Sequence, residues 1–281
     1  MAVVGVVGAG VMGVDVACTL SLYGHDVLLK DIDPKALEAA PGQIRRNLRM
    51  YSLLSRALSG CSSDDVLSRI CLTDSYERFA DAQWVVENVT EDWHTKRQVY
   101  DELREACCPD TRYAVNTSCI SITRIAALMP HPERVIGMHF MNPVPLKEVV
   151  ETVRGVHTSA DTVQASEAFL GTLRKTAVLV EDSPGFVANR LSHLFMNEAA
   201  FLVQEKTALP EQIDKLFREG YGHKMGPLET ADLIGLDTVA RSLHVLYDSL
   251  QDPKFRCCPL LTRMVDAGWL GRKSGQGFYT Y

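Results

Sequence analysis

Through the first half of the chain, short runs of β-branched and aliphatic residues alternate with longer stretches of mixed polar and apolar positions. Val3–Val7, Val27–Leu29, Trp84–Glu87, Tyr113–Asn116 and Val135–Met138 have few charges and no internal proline, as strands covered on both faces of a parallel sheet require. Val149–Val153 and Ala177–Val180 repeat the pattern and extend the same sheet. Between the second run and Ile70, leucines recur at helical spacing from Pro34 to Arg69 with a polar break at 59–63, which predicts a hairpin of two helices. After Ser183-Pro184-Gly185 the strand-like runs cease and helical pattern punctuated by Gly and Pro continues to the end. The expected fold is α/β: an N-terminal Rossmann-type doubly wound parallel sheet over 1–183, hairpin included, and a smaller all-α C-terminal domain over 184–281.

One turn in this frame carries specific chemistry. Gly8-Ala9-Gly10-Val11-Met12-Gly13 follows the first strand directly and opens a proline-free helical stretch, Val11 to Leu22. In that context the first glycine allows the tight turn, the second lets backbone approach a pyrophosphate, and the third lets helix and strand pack closely. The backbone at Val11 and Met12 then offers the positive end of a helix to phosphate. Asp31 ends the second strand, 23 positions after Gly8, where a carboxylate accepts hydrogen bonds from ribose hydroxyls. The same carboxylate repels a ribose phosphate and no arginine follows it, although Lys30 precedes it; NAD is expected rather than NADP.

Composition narrows the rest. The chain has 281 residues, 46% of them apolar, enough for a substantial core. A net charge of −6 argues against a nucleic-acid surface, and no apolar run is long enough to span a bilayer. Met1 to Val7 leads at once into the glycine turn rather than into a cleavable signal, so a cytoplasmic protein is expected. Eight cysteines include two adjacent pairs but no Cys-x-x-Cys or Cys/His spacing, so they are expected to be reduced, mostly buried thiols, with no metal site.

His139 lies just past the Val135–Met138 run, where a doubly wound sheet presents its reactive groups, and Glu151 comes twelve residues later. A carboxylate within reach would fix the tautomer of the imidazole and stabilise its protonated form, provided the two strands are neighbours. By itself such a pair is equally the mark of a structural histidine and a surface acid. Asn116-Thr117-Ser118 ends another strand, and Asn189 opens the first helix of the C-terminal part; in isolation these are helix or turn caps as readily as site residues.

Taken together these segments resemble the 3-hydroxyacyl-CoA dehydrogenases over nearly the whole chain. The resemblance rests on the glycine turn, Val86-Glu87-Asn88 with Glu91, Asn116-Thr117-Ser118, His139-Phe140-Met141-Asn142-Pro143-Val144-Pro145, Ser183-Pro184-Gly185-Phe186 with Asn189-Arg190, Met225-Gly226-Pro227, and Gly271-Arg272-Lys273-Ser274-Gly275. It implies NAD-dependent oxidation of the 3-hydroxyl of an acyl thioester, with His139 as general base and Glu151 as its orienting partner. Ser118 and Asn189 would hydrogen-bond substrate near the reacting oxygen and Asn142 would shape the same pocket. Glu91, Lys96 and Asn116 would join Gly8, Gly10, Val11, Met12, Gly13 and Asp31 around the cofactor. The C-terminal helices would supply a substrate cleft and a homodimer interface.

Several segments depart from the general pattern. The hairpin has no lysine from Ala36 to Thr95, although Arg45, Arg46, Arg49 and Arg56 could bind phosphate, and Glu148 and Cys119 stand where relatives commonly have lysine and serine. Glu87–Trp93, Gly222–Asp232 and Asp252–Arg256 are similar to a branch serving methoxymalonyl and hydroxymalonyl extender units in polyketide biosynthesis. That branch acts on a glyceryl group tethered to an acyl carrier protein, which is the substrate expected here. The alternative is the 3-hydroxybutyryl-CoA or 3-hydroxyacyl-CoA chemistry of fatty-acid metabolism. A free sugar-acid dehydrogenase and a non-catalytic NAD-binding protein remain further readings.

Overall fold

The computed structural model describes residues 1–281, which divide into two compact units, Met1–Asp182 and Ser183–Tyr281. In the first unit eight strands form one sheet: β1 (Val3–Val7), β2 (Asp26–Lys30), β3 (Ile70–Thr73), β4 (Trp84–Glu87), β5 (Arg112–Val115), β6 (Val135–His139), β7 (Val149–Arg154) and β8 (Thr176–Glu181). Their spatial order is 3-2-1-4-5-6-7-8. The reversal at β1/β4 creates the crevice that open α/β sheets use for ligands. Val4, Val6, Val86, Ala114 and Ile136 are wholly inaccessible, which explains why those runs lack charge. Both Rossmann-type sheet and helical second unit agree with the expected fold class.

Four details differ from the sequence expectation. Ile70–Thr73 is an additional edge strand parallel to β2; it is four residues long and leaves Cys71 and Leu72 exposed, too short and too open to show the buried-strand pattern. The sheet is also not wholly parallel, because β6 and β7 run antiparallel. Only the nine residues 140–148 join these two strands, fewer than the dozen or more a parallel crossover needs. His139 is the last residue of β6 rather than the first beyond it. All eight cysteines are free, but only Cys18 and Cys258 are buried; Cys61 and Cys108 are exposed in irregular segments and Cys71 on the edge strand β3, where a thiol has no core to enter.

Helix α1 (Val11–Leu22) follows the glycine turn and is buried along most of its length. The hairpin consists of α2 (Pro34–Leu54) and α3 (Ser63–Ser68). Asp33 starts α2 by accepting from the Lys35 amide, with Pro34 at the first helical position, and Ser62 caps α3 in the same way. Next come α4 (Trp93–Ala106), capped by Asp92, α5 (Ile122–Ala126) and α6 (Ala160–Thr172). Trp84 stacks on Phe169 at 4.9 Å, as a packing residue should.

The second unit is helical: α7 (Ala188–Gln204), α8 (Pro210–Lys215), α9 (Pro227–Ile234), α10 (Leu236–Leu250) and α11 (Pro259–Asp266). Met196, Ala200, Leu236, Val239, Leu243, Leu261 and Met264 form its core. Two buried carboxylates organise its periphery. Asp214 caps α9 by accepting from the Leu228 and Glu229 amides, and Asp232 accepts from the Phe278 and Tyr279 amides, fastening the terminal segment. Burial pushes the Asp232 carboxyl upward, against the hydrogen bonds that favour its charge. No helix among the described residues is long and apolar enough to cross a membrane.

Candidate active site

The glycine turn has the geometry its sequence demands. Gly8 has φ +96°, and a Cβ there would lie 2.8 Å from the Asn88 carbonyl oxygen; a Cβ at Gly13 would lie 1.7 Å from the Gly8 carbonyl oxygen. Both positions therefore exclude a side chain on packing grounds. Gly10 differs: a Cβ there would meet nothing within 4 Å. Its bareness leaves space for a ligand rather than for protein, beside Val11 and Met12 in the first turn of α1. Asp31 sits at the end of β2 and holds the turn by accepting from the Ala9 amide at 2.6 Å and from the Asp33 amide at 2.9 Å. A cavity of about 230 Å³ opens here, lined by Gly8, Gly10, Asp31, Ile32, Asn88 and Thr90 among others. Ile32 is 82% exposed, an apolar side chain beside a carboxylate, as an adenosine with its base and ribose hydroxyls would need. The residues present fit NAD. Lys30, which could have balanced a ribose phosphate, is buried over the Tyr76 ring at 4.2 Å instead.

At the ends of β4, β5 and β6, three loops are tied to one another. Glu91 Oε1 accepts from Thr117 Oγ1 at 2.6 Å, from the Ser118 amide at 3.0 Å and from the Cys119 amide at 2.8 Å. Asn116 donates from Nδ2 to Asn88 Oδ1 at 2.7 Å and accepts at Oδ1 from the Phe140 amide at 3.1 Å. The residues matched to cofactor contacts thus have a prior task, fixing the crevice wall.

Lys96 is the clearest case. Its ammonium is wholly buried and donates to both oxygens of Glu87, at 2.7 and 2.8 Å, and to the Asn116 carbonyl at 3.4 Å. Lys96, expected near the cofactor, supports the crevice wall from inside, because Glu87 draws its charge into the core. Glu87, named in sequence only within the Val86-Glu87-Asn88 motif and given no role there, belongs to the same wall. The available signal was a carboxylate ending a buried strand, which needs a cation. Burial pushes its carboxyl upward while Lys96 pulls it back down.

The His139–Glu151 pair is formed by sheet register. His139 and Glu151 are directly opposed across the antiparallel β6–β7 pair, and His139 Nδ1 lies 2.9 Å from Glu151 Oε2. Their side chains are 12% and 6% exposed. Ser118 Oγ lies 3.4 Å from His139 Nε2, on the other side of the ring. With Nδ1 engaged by the carboxylate, Nε2 is the nitrogen placed to exchange a proton with a third group. Asn142 is exposed at the cis Asn142–Pro143 bond in the loop that follows. Asn189 stands in the first turn of α7, in the second unit, where its carbonyl is 2.8 Å from His193 Nδ1. His139, Glu151, Ser118, Glu91 and Asn116 are thus brought together in the first unit. No group of acidic, cysteine and histidine side chains among the described residues could hold a metal.

The chain is similar to known proteins along its whole length. Residues 3–183 match the family model described as 3-hydroxyacyl-CoA dehydrogenase, NAD binding domain, and residues 185–281 match the 3-hydroxyacyl-CoA dehydrogenase C-terminal domain. The chain is 42% identical over 278 residues to a 3-hydroxybutyryl-CoA dehydrogenase of Bradyrhizobium diazoefficiens, covering 99% of this chain and 94% of that protein. It is 38% identical to a 3-hydroxybutyryl-CoA dehydrogenase of Clostridioides difficile, covering 98% of each. Among solved structures, the (S)-3-hydroxybutyryl-CoA dehydrogenase of Ralstonia eutropha is 38% identical with a TM-score of 0.92, covering 99% of this chain and 98% of that one. The chain belongs to the 3-hydroxyacyl-CoA dehydrogenase family and is an NAD-dependent oxidoreductase.

Proposed function

We propose that the protein oxidises the 3-hydroxyl of a short 3-hydroxyacyl-CoA, of the (S)-3-hydroxybutyryl-CoA type, with His139 as general base. The observation that carries the reading is the 2.9 Å His139–Glu151 contact across strands β6 and β7. Glu151 holds the Nδ1 proton in place and stabilises the imidazolium, so Nε2 takes the proton from the substrate hydroxyl. Ser118, within hydrogen-bond range of the same nitrogen, orients that hydroxyl. The chemistry that NAD supplies is acceptance of the hydride leaving C3. Glu91 and Asn116 keep the walls of the crevice in register, so the hydroxyl is presented in one geometry. For Asn189 and Asn142, contact with substrate rests on the family resemblance. A homodimer through the helical unit is part of the same reading, supported by exposed Leu191, Leu216, Tyr221 and Trp269.

Similarity to 3-hydroxybutyryl-CoA dehydrogenases over 99% of the chain favours a coenzyme A ester over the carrier-protein substrate expected from sequence. One feature keeps the carrier protein as a second reading. Arg45, Arg46, Arg49 and Arg56 are exposed on α2 and just beyond it, interleaved with exposed Met50, Leu53 and Leu54, in a chain whose net charge is −6. Such a face suits an acidic protein that carries its substrate on a phosphopantetheine arm. NADH formation with 3-hydroxybutyryl-CoA and with a glyceryl-loaded acyl carrier protein, measured side by side, tests both. Turnover of the CoA ester alone supports the first reading, turnover of the carrier-protein ester alone overturns it, and turnover of neither ends the thioester proposal.

A further inference from the structure

The segment 140–148, which joins the strand bearing His139 to the strand bearing Glu151, is gripped by two buried charges of opposite sign. It contains a single 3-10 turn, Val144–Leu146, entered through Pro143. Lys175, only 7% exposed, lies in the turn between α6 and β8 and donates to the Val144 carbonyl at 2.7 Å and to the Lys147 carbonyl at 2.6 Å. On the same residue, the Val144 amide faces the carboxylate of Asp15, which lies on α1 and is 1% exposed. The Asp15 oxygens also accept from Asn47 Nδ2 at 2.9 Å and Tyr51 Oη at 2.8 Å, both on α2.

This arrangement is costly unless it does something. A buried ammonium and a buried carboxylate that do not pair with each other must each be compensated by dipoles. Individual backbone groups of the turn supply those dipoles: the Val144 and Lys147 carbonyls face the ammonium and the Val144 amide faces the carboxylate. Burial lowers the Lys175 ammonium to about 8 while Glu148 opposes the shift, so the cation persists at neutral pH. Asp15 is pushed upward by burial and pulled back by its donors.

We propose that Lys175 and Asp15 are positioning residues for the His139–Glu151 pair, Lys175 bridging the two ends of the intervening turn and Asp15 steadying its first residue, so that base and carboxylate stay in register. The proposal rests on the reading of that pair as the acid–base centre. It also couples α2 to the segment through Asn47 and Tyr51, so displacement of α2 is felt at the turn.

The test uses the full chain with NAD and 3-hydroxybutyryl-CoA. Lys175→Met and Asp15→Asn should each lower kcat by about 10- to 100-fold, the loss expected from a reactive group misplaced by a fraction of an ångström to an ångström. The KM for NAD should be unchanged in Lys175→Met, and Lys175→Arg, which keeps a charged donor, should restore most of the rate. Proton NMR of the His139 Nδ1 resonance adds a readout that a merely structural lysine would not move: it should shift in folded Lys175→Met. Wild-type kcat with an unshifted resonance in both folded variants overturns the proposal. His139→Gln separates the two layers. If it turns over normally the acid–base reading itself fails, whereas an inactive His139→Gln beside fully active Lys175→Met removes only the positioning role. Should both substitutions prevent folding, amide exchange in the wild-type chain decides. Slow exchange across Val144–Lys147 supports the clamp, and exchange at the rate of open loops overturns it.

Discussion

Glu87 and Glu151 are both strand carboxylates, 0% and 4% exposed, and each faces a basic nitrogen less than 3 Å away. Their surroundings give them different uses. Lys96 spends its ammonium on both Glu87 oxygens, and the Val89 amide adds a third bond at 2.7 Å, so the pair is saturated and sealed. At Glu151 the partner is an imidazole whose second nitrogen points on to Ser118 at the edge of the crevice. A base that ends at its carboxylate locks the wall; a base that passes through to a second nitrogen can move a proton. Burial and charge alone do not distinguish the two, but the partner's second nitrogen does.

The sharpest way to break this contrast is to remove the imidazole. His139→Ala should lower kcat by on the order of 10²–10⁴-fold while circular dichroism stays near wild type. Wild-type kcat in that variant would contradict the contrast at its active end. The inverse result is expected at the sealed pair: Lys96→Met should cost about 3–5 kcal/mol in urea unfolding, since it strands a buried carboxylate.

That loss should also depend on pH, in a direction set by Glu87. Without Lys96 the folded-state carboxyl pKa, already raised by burial, lies well above its unfolded value. The folded protein then binds a proton that the unfolded chain releases. The group's contribution is therefore present below the unfolded pKa and is lost as pH rises through the folded value. Lys96→Met should accordingly be closer to wild-type stability in mild acid than at neutral pH, and a gap that widens on acidification would refute this.

Smaller effects sharpen the comparison further. Glu151→Gln keeps a hydrogen-bonding amide but removes the charge behind the imidazolium; a loss of about 10²-fold in kcat is expected, at the low end of what a positioned base contributes. Asp31→Ala should weaken NAD binding by about 10-fold or somewhat more, the value of a hydrogen bond to a charged group, and narrow the preference over NADP. Fluorescence titration with both reduced cofactors measures this directly.

Legibility of the site followed the distance over which each feature is specified. Gly8, Gly13 and Asp31 lie in one strand–turn–helix unit, so their spacing alone announced their geometry. The candidates His139, Glu151, Ser118 and Asn116 were recognisable as residue types at strand ends. Their contacts were not, because a hydrogen bond from the Phe140 amide to Asn116 Oδ1 or from the Ser118 amide to Glu91 depends on which strands are neighbours. Glu87 was legible only as part of a motif, because nothing local shows that it and Lys96, nine residues apart, meet in the core. The antiparallel turn of β7 was in principle available from the short 140–148 link.

By itself, the sequence of this protein determined where strands, caps and the phosphate-binding turn form, since steric limits on φ and ψ and adjacent side chains act within a few residues. The tertiary structure alone decided that Glu151 stands opposite His139, that Glu91 gathers the loop after β5, and that Lys175 donates to the turn between His139 and Glu151. Those outcomes rest on buried charges whose cost is met only when partners from distant segments arrive together, and burial is a property of the folded chain rather than of any stretch of it.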